Sequence, residues 1–203
     1  MAKKRIFSRA LACLTIGCLM FFPGLSGCAT APAVEERQDG LPVQTKAGSI
    51  HYEQVVTTNA QFKQNDLFRK AKQWIAQNYV TTSNYNPIQL EDVDNGVIIG
   101  RIYFKFSTQF FIHQMDYTVF CVMKLQIKDG KYKYTFTDFT HVASGTNRHY
   151  EVATPESCDG WIDQHNQRHP SSGSYTKALG GLDNGMNNVI ASLQKALAEA
   201  DDF

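Results

Sequence analysis

The sequence predicts an α+β fold: a single domain with an antiparallel five-stranded sheet and two helices on one face, in the order β-α-β-β-β-β-α. Three observations predict it. Two stretches, Leu67 to Tyr79 and Met186 to Leu197, repeat apolar residues at three- and four-residue steps. Four stretches between them alternate in the two-residue rhythm of half-buried strands. Asp94-Asn95-Gly96 and Asp129-Gly130 break that alternation where hairpin turns belong.

Residues 28–48 lack periodicity and carry Pro32, Gly40, Pro42 and Gly48, so they read as a flexible tether ahead of a domain at 49–203. Ile50 to Val56 is the first strand. Leu67, Phe68, Ala71, Trp74, Ile75, Asn78 and Tyr79 form the stripe of a four-turn helix, with Asn65 or Asp66 as its cap. Strands follow at Ile88–Val93, Val97–Phe106, Tyr117–Lys128 and Lys131–Phe139. Gly96 suits the left-handed position of a three-residue loop. A two-residue turn at Asp129-Gly130 sets Ile127 opposite Tyr132, Leu125 opposite Tyr134 and Met123 opposite Phe136. The other face then pairs Gln126 with Lys133, Lys124 with Thr135 and Val122 with Thr137, so one face is apolar and the other mostly polar. Residues 143–182 are polar and rich in Gly, Ser, Pro and His, and read as a long loop. The last helix runs from about Gly185 to Ala200 behind Asp183 or Asn184 as cap.

The amino terminus has a different character. Lys3, Lys4, Arg5 and Arg9 precede an apolar stretch from Ala10 to Leu25 that is short for a membrane span and contains Gly17, Pro23 and Gly24. Leu25-Ser26-Gly27-Cys28 resembles the lipobox of bacterial lipoproteins. That resemblance implies a signal peptide at 1–27, cleavage before Cys28 and acyl chains, palmitate among them, on the cysteine. Two or three chains hold a protein firmly to a membrane, because each buried methylene contributes about 0.8 kcal/mol. The alternative is an ordinary secretory signal that happens to meet a cysteine. Ala29 is not acidic, which by the same resemblance implies the outer membrane, facing the periplasm.

Composition narrows the partners. The chain has 20 basic and 19 acidic residues. Removing 1–27 takes four basic residues and no acidic one, leaving a net charge of −3. That near-balance gives no global case for nucleic acid. Cys121 and Cys158 remain beside Cys28, and an oxidising periplasm would permit a disulfide between them. Cys121 falls on the apolar side of its strand, which favours two free thiols.

Three runs, LFRKAKQWIAQNYV, IQLEDVDNGVIIG and LQIKDGKYKYTFTD, resemble an uncharacterised bacterial lipoprotein domain family of unknown function. Its fold is similar to half of the TATA-box-binding protein. The resemblance covers roughly residues 50–142. It rests on folding motifs and brings no activity, and likeness to a DNA-binding fold does not transfer DNA binding.

Two regions are candidate sites. The sheet face away from the helices should display Arg101, Tyr103, Lys105, Phe120, Val122, Lys124, Gln126, Lys131, Lys133, Thr135 and Thr137. Five are basic and none acidic, a pattern that fits an anionic or amphipathic partner. The plainer alternative is a solvated face, where Lys and Thr are expected. The second region is Glu156, Cys158, Asp159, Asp163, His165 and His169. Cys158, His165 and His169 are weak candidates for a metal, and Cys158 with His165 for a nucleophile and base. Their spacing fits no familiar zinc pattern, and no cofactor motif accompanies them. The expectation is therefore a membrane-anchored, non-enzymatic envelope module that binds a protein, lipid or glycan. The alternative is a small hydrolase or metal-dependent enzyme using residues 156–169.

Overall fold

The computed structural model describes residues 40–59, 61–79, 86–110, 113–145, 154–167 and 172–198. The expected signal peptide and lipobox with Cys28, most of the expected tether, and His169 lie outside the described residues.

Core packing begins earlier than the composition of residues 28–48 suggests. Leu41 and Val43 are buried in the core, and β1 (Thr45–Lys46) pairs with β2 (Ser49–Ile50) in a two-stranded hairpin. Ala47 and Gly48 turn it with φ of 53° and 85°. A short apolar-polar mixture with prolines lacks periodicity even when its few large side chains reach a core.

β3 (Tyr52–Thr57), β4 (Ile88–Asp92), β5 (Val97–Phe110), β6 (His113–Lys128), β7 (Lys131–Gly145) and β8 (Glu156–Ser157) form one antiparallel sheet in the order β3-β7-β6-β5-β4. β8 pairs with β7 beyond the end of β3. The sheet thus has six strands rather than five, and β5, β6 and β7 run longer than their alternation indicated. The register expected at Asp129-Gly130 is the one observed, from Ile127 opposite Tyr132 to Val122 opposite Thr137. Gly96 takes a φ of 64°.

One irregularity redirects β7. Val122 faces Thr137 while Phe120 faces Thr140, so β7 carries an extra residue, and Asp138 there has a φ of 55°. Tyr132, Tyr134 and Phe136 point into the core before this bulge, and Phe139 and His141 after it. A one-residue insertion exchanges the two faces of a strand, because side chains alternate with period two.

Three helices are described rather than two: α1 (Gln64–Tyr79), α2 (Asp159–Asn166) and α3 (Ser172–Ala198). α1 starts before Asn65, so neither sequence cap serves it. Instead the Gln64 amide donates to the Asp129 carboxylate at 2.8 Å, from the β6–β7 turn. α3 begins well before Gly185 and absorbs much of the expected loop. Asp183 is a buried helix-interior residue, not a cap; its carboxylate accepts the Tyr52 hydroxyl at 2.9 Å and the Asn187 amide at 3.0 Å. Gly173, Gly180, Gly181 and Gly185 lower helix propensity enough to hide this stretch from a sequence reading. Two of these glycines let α3 approach β5, where Gly181 lies over the Phe106 ring and Gly185 over the Phe104 ring. The core sits between the sheet and the helices: Leu67, Trp74 and Ile75 of α1 and Leu179, Leu182, Met186, Leu193 and Leu197 of α3 pack over Ile98, Ile102, Val119, Met123, Leu125 and Ile127.

Candidate functional site

The opposite face of β5, β6 and β7 assembles as alternation requires. Arg101 lies opposite Val122, Tyr103 opposite Phe120 and Lys105 opposite Thr118. Lys124 lies opposite Thr135 and Gln126 opposite Lys133. Of the residues expected on this face, Arg101, Tyr103, Lys105, Phe120, Lys124, Lys131 and Lys133 are the candidate binding residues, and they do share one face.

Their contacts divide them. The Arg101 guanidinium sits 5.5 Å from the Phe120 ring centre and donates to Thr140 Oγ1 at 3.3 Å, so it lies across β6. Tyr103 packs on Phe120 with ring centres 6.1 Å apart, and on Tyr79 of α1 at the same separation. Arg101, Phe120 and Tyr103 therefore form a half-buried, internally supported row. Lys105, Lys124 and Lys131 are exposed beside it.

The structure corrects the charge balance of this face. Glu53 of β3 lies opposite Thr135, and its carboxylate meets Lys133 Nζ at 3.0 Å and Lys46 Nζ at 3.7 Å. The hydrogen bond from Lys133 holds the Glu53 carboxyl below the usual carboxylate range against a desolvation that pushes it up. Lys133 is thus committed to an ion pair. In exchange, Lys128 joins the face, directly opposite Lys131 and exposed with it. Like charges facing each other across a ladder are mildly unfavourable. Glu53 escaped the sequence reading because β3 comes some 80 residues before β7 and its register is a long-range fact.

The second candidate region is dispersed. Cys158 is buried at the head of α2, while His165 at the far end of that helix bonds Thr176 of α3 at 2.8 Å. Asp159 accepts the Ile50 amide at 2.8 Å, and Asp163 is exposed. Among the described residues no three His, Cys, Asp or Glu side chains are placed to hold a metal ion. Cys121 and Cys158 are both free and buried.

The partner of Cys158 is His141, with Sγ and Nδ1 3.8 Å apart. His141 lies beyond Phe139, where the sequence reading ends β7. Burial pushes the Cys158 thiol up and the His141 imidazole down. Both directions favour a neutral pair, the reverse of the thiolate and imidazolium that a cysteine nucleophile uses.

With the sheet order and helix layer established, comparison with known families becomes decisive. Residues 52–142 match the family described as a domain of unknown function (DUF4468) with TBP-like fold. The chain carries a DUF4468 domain. The matched residues run from β3 into β7, so β8, α2 and α3 lie beyond the DUF4468 match. A crystal structure of a DUF4468 family protein from Bacteroides ovatus is similar, with a TM-score of 0.58 at 12% identity over 80% of this chain and 94% of that one. A TBP-like protein from Parabacteroides distasonis aligns with a TM-score of 0.56 at 12% identity, over 78% of this chain and 99% of that one. At such identities the likeness concerns the fold alone. No curated protein matches the chain.

Proposed function

We propose that this DUF4468 protein is a membrane-anchored envelope lipoprotein, held by acyl chains on Cys28, whose outer sheet face binds an anionic or amphipathic partner without catalysing a reaction. The observation that carries the binding half is the Arg101–Phe120–Tyr103 row, flanked by exposed Lys105, Lys124, Lys128 and Lys131. Aromatic rings supply apolar contact area and the lysines supply attraction that salt screens. The anchoring half rests on the basic start, the short apolar stretch and Leu25-Ser26-Gly27-Cys28. No helix among the described residues is long and apolar enough to cross a membrane.

Two experiments test the two halves separately. Metabolic labelling with a fatty acid should mark the wild type and leave Cys28→Ser unlabelled and uncleaved. Labelled Cys28→Ser protein refutes the anchor. For binding, Lys105, Lys124 and Lys131 are changed together to Ser, which leaves the supported aromatic row intact. Retention of the full chain on anionic vesicles, an acidic polysaccharide and envelope proteins is then compared with wild type at low and moderate salt. Loss in the triple variant, and loss with salt in the wild type, is expected for one of these partner classes. Equal retention of both proteins on all three at both salt levels refutes the binding face.

A further inference from the structure

The corner where β7, β8 and the head of α2 meet joins side chains of unlike chemistry. His141 is only 6% exposed, on the core side of β7. Cys158 Sγ lies 3.8 Å from its Nδ1. The Trp161 ring centre is 4.3 Å from the imidazole and that of Tyr117 5.8 Å, while Trp161 and Tyr117 meet edge-on at 5.3 Å. Among the described residues the backbone ties are few. The Cys158 amide donates to the Phe139 carbonyl at 2.9 Å, and β8 adds only the pairs Thr140–Ser157 and His141–Glu156.

We propose that this corner is an acid-sensitive latch: neutral His141 holds Cys158 and α2 against the sheet, and a proton on the imidazole releases them.

A neutral imidazole with its hydrogen on Nε2 leaves Nδ1 free to accept from the thiol. Protonation turns Nδ1 into a donor aimed at sulfur, which is a weak acceptor, and places a charge among aromatic rings. The titratable groups facing this pair come from four elements: Tyr117 and Cys121 from β6, Glu156 from β8, Asp159 at the start of α2, and Tyr175 of α3 beside Tyr117. Among these groups the carboxyl side chains are those of Glu156 and Asp159, and Asp159 is engaged by the Ile50 amide. Glu156 is exposed; its charge and its backbone favour the imidazolium. Burial is the largest influence and outweighs them, so the imidazole is held below its ordinary 6.5.

The direction of the linkage follows. The closed corner binds the proton less well than the open one, so its stability is fully present above about pH 6.5 and is lost as pH falls from there through the closed-state value. Uptake of one proton on release favours opening by up to about tenfold per pH unit within that window. Cys158 is the natural reporter, since its thiol is wholly buried while the corner is closed.

The test uses the full chain and a pyridyl disulfide, which reacts with thiols in mild acid. Labelling of Cys158, read by peptide mass spectrometry, is normalised at each pH to the denatured chain. Cys121, buried in the sheet, controls for global unfolding. Between about pH 7 and about pH 5, normalised labelling of Cys158 should rise about tenfold with Cys121 unchanged. His141→Phe keeps an aromatic ring that takes no proton, and should abolish the pH dependence. In the wild type, the NMR titration of the His141 ring should fall below 6.5 and coincide with the labelling midpoint. Flat labelling of Cys158, parallel exposure of Cys121, or an unchanged acid response in His141→Phe overturns the proposal. Should His141→Phe fail to fold, a ring titration that does not track labelling overturns it equally.

Discussion

Three glycines in α3 allow a measurement in which helix propensity cancels. A Cβ built on Gly181 would lie 2.5 Å from two atoms of the Phe106 ring, and one on Gly185 would lie 2.5 Å from two atoms of the Phe104 ring. A Cβ on Gly180 would meet nothing within 4 Å. Gly→Ala in a helix interior is worth about 0.8–1.0 kcal/mol of stability through propensity at each position. At Gly181 and Gly185 the ring must also retreat by about 1 Å, and overpacking of this kind costs about 1–3 kcal/mol. Neither ring has easy room. Phe104 stacks on Phe106 at 6.4 Å, and Phe106 on Tyr117 at 5.2 Å. Gly180→Ala should therefore stabilise by up to about 1 kcal/mol, while Gly181→Ala and Gly185→Ala fall about 1–3 kcal/mol below it. Chemical denaturation of the full chain, followed by far-ultraviolet circular dichroism, gives all three values. If Gly181→Ala and Gly185→Ala match Gly180→Ala, the close approach of α3 to β5 is not what these glycines provide.

Other perturbations probe the same frame. Gly96→Ala forces a side chain into left-handed backbone and against the Ile127 carbonyl oxygen, so it should cost at least about 1–2 kcal/mol by denaturation. Trp74→Ala removes a buried indole whose N–H donates to Ser192 Oγ at 2.9 Å; a loss of about 3–5 kcal/mol is expected, and a loss near zero would mean that α1 is not docked on the core. Asp129→Ala removes the acceptor of the Gln64 amide and should lower the denaturation midpoint at neutral pH. That hydrogen bond holds the Asp129 carboxyl below its ordinary 3.8, so its contribution is present above that value and lost as pH falls through the folded one. The midpoints of variant and wild type should accordingly converge in acid.

Much of this protein is determined by its sequence alone, because the relevant interactions are local. Period-two alternation and the Asp129-Gly130 turn settle the β6–β7 register, since any slip would turn Leu125 and Ile127 to water. The same alternation places Arg101, Phe120 and Lys124 on one face. The three- and four-residue repeat of Leu67 to Tyr79 likewise suffices for α1. Tertiary structure alone decides what depends on distant partners. The glycines of α3 look like loop until Phe104 and Phe106 are there to receive them, since propensity counts their cost and only packing reveals their use. Lys133 looks available until β3 brings Glu53 to it across the sheet. His141 and Cys158 meet because one extra residue at Asp138 turns the end of β7 over and a short strand then delivers the head of α2. None of these has a nearest-neighbour signature, because in each case the deciding energy lies in a contact between residues remote in the chain.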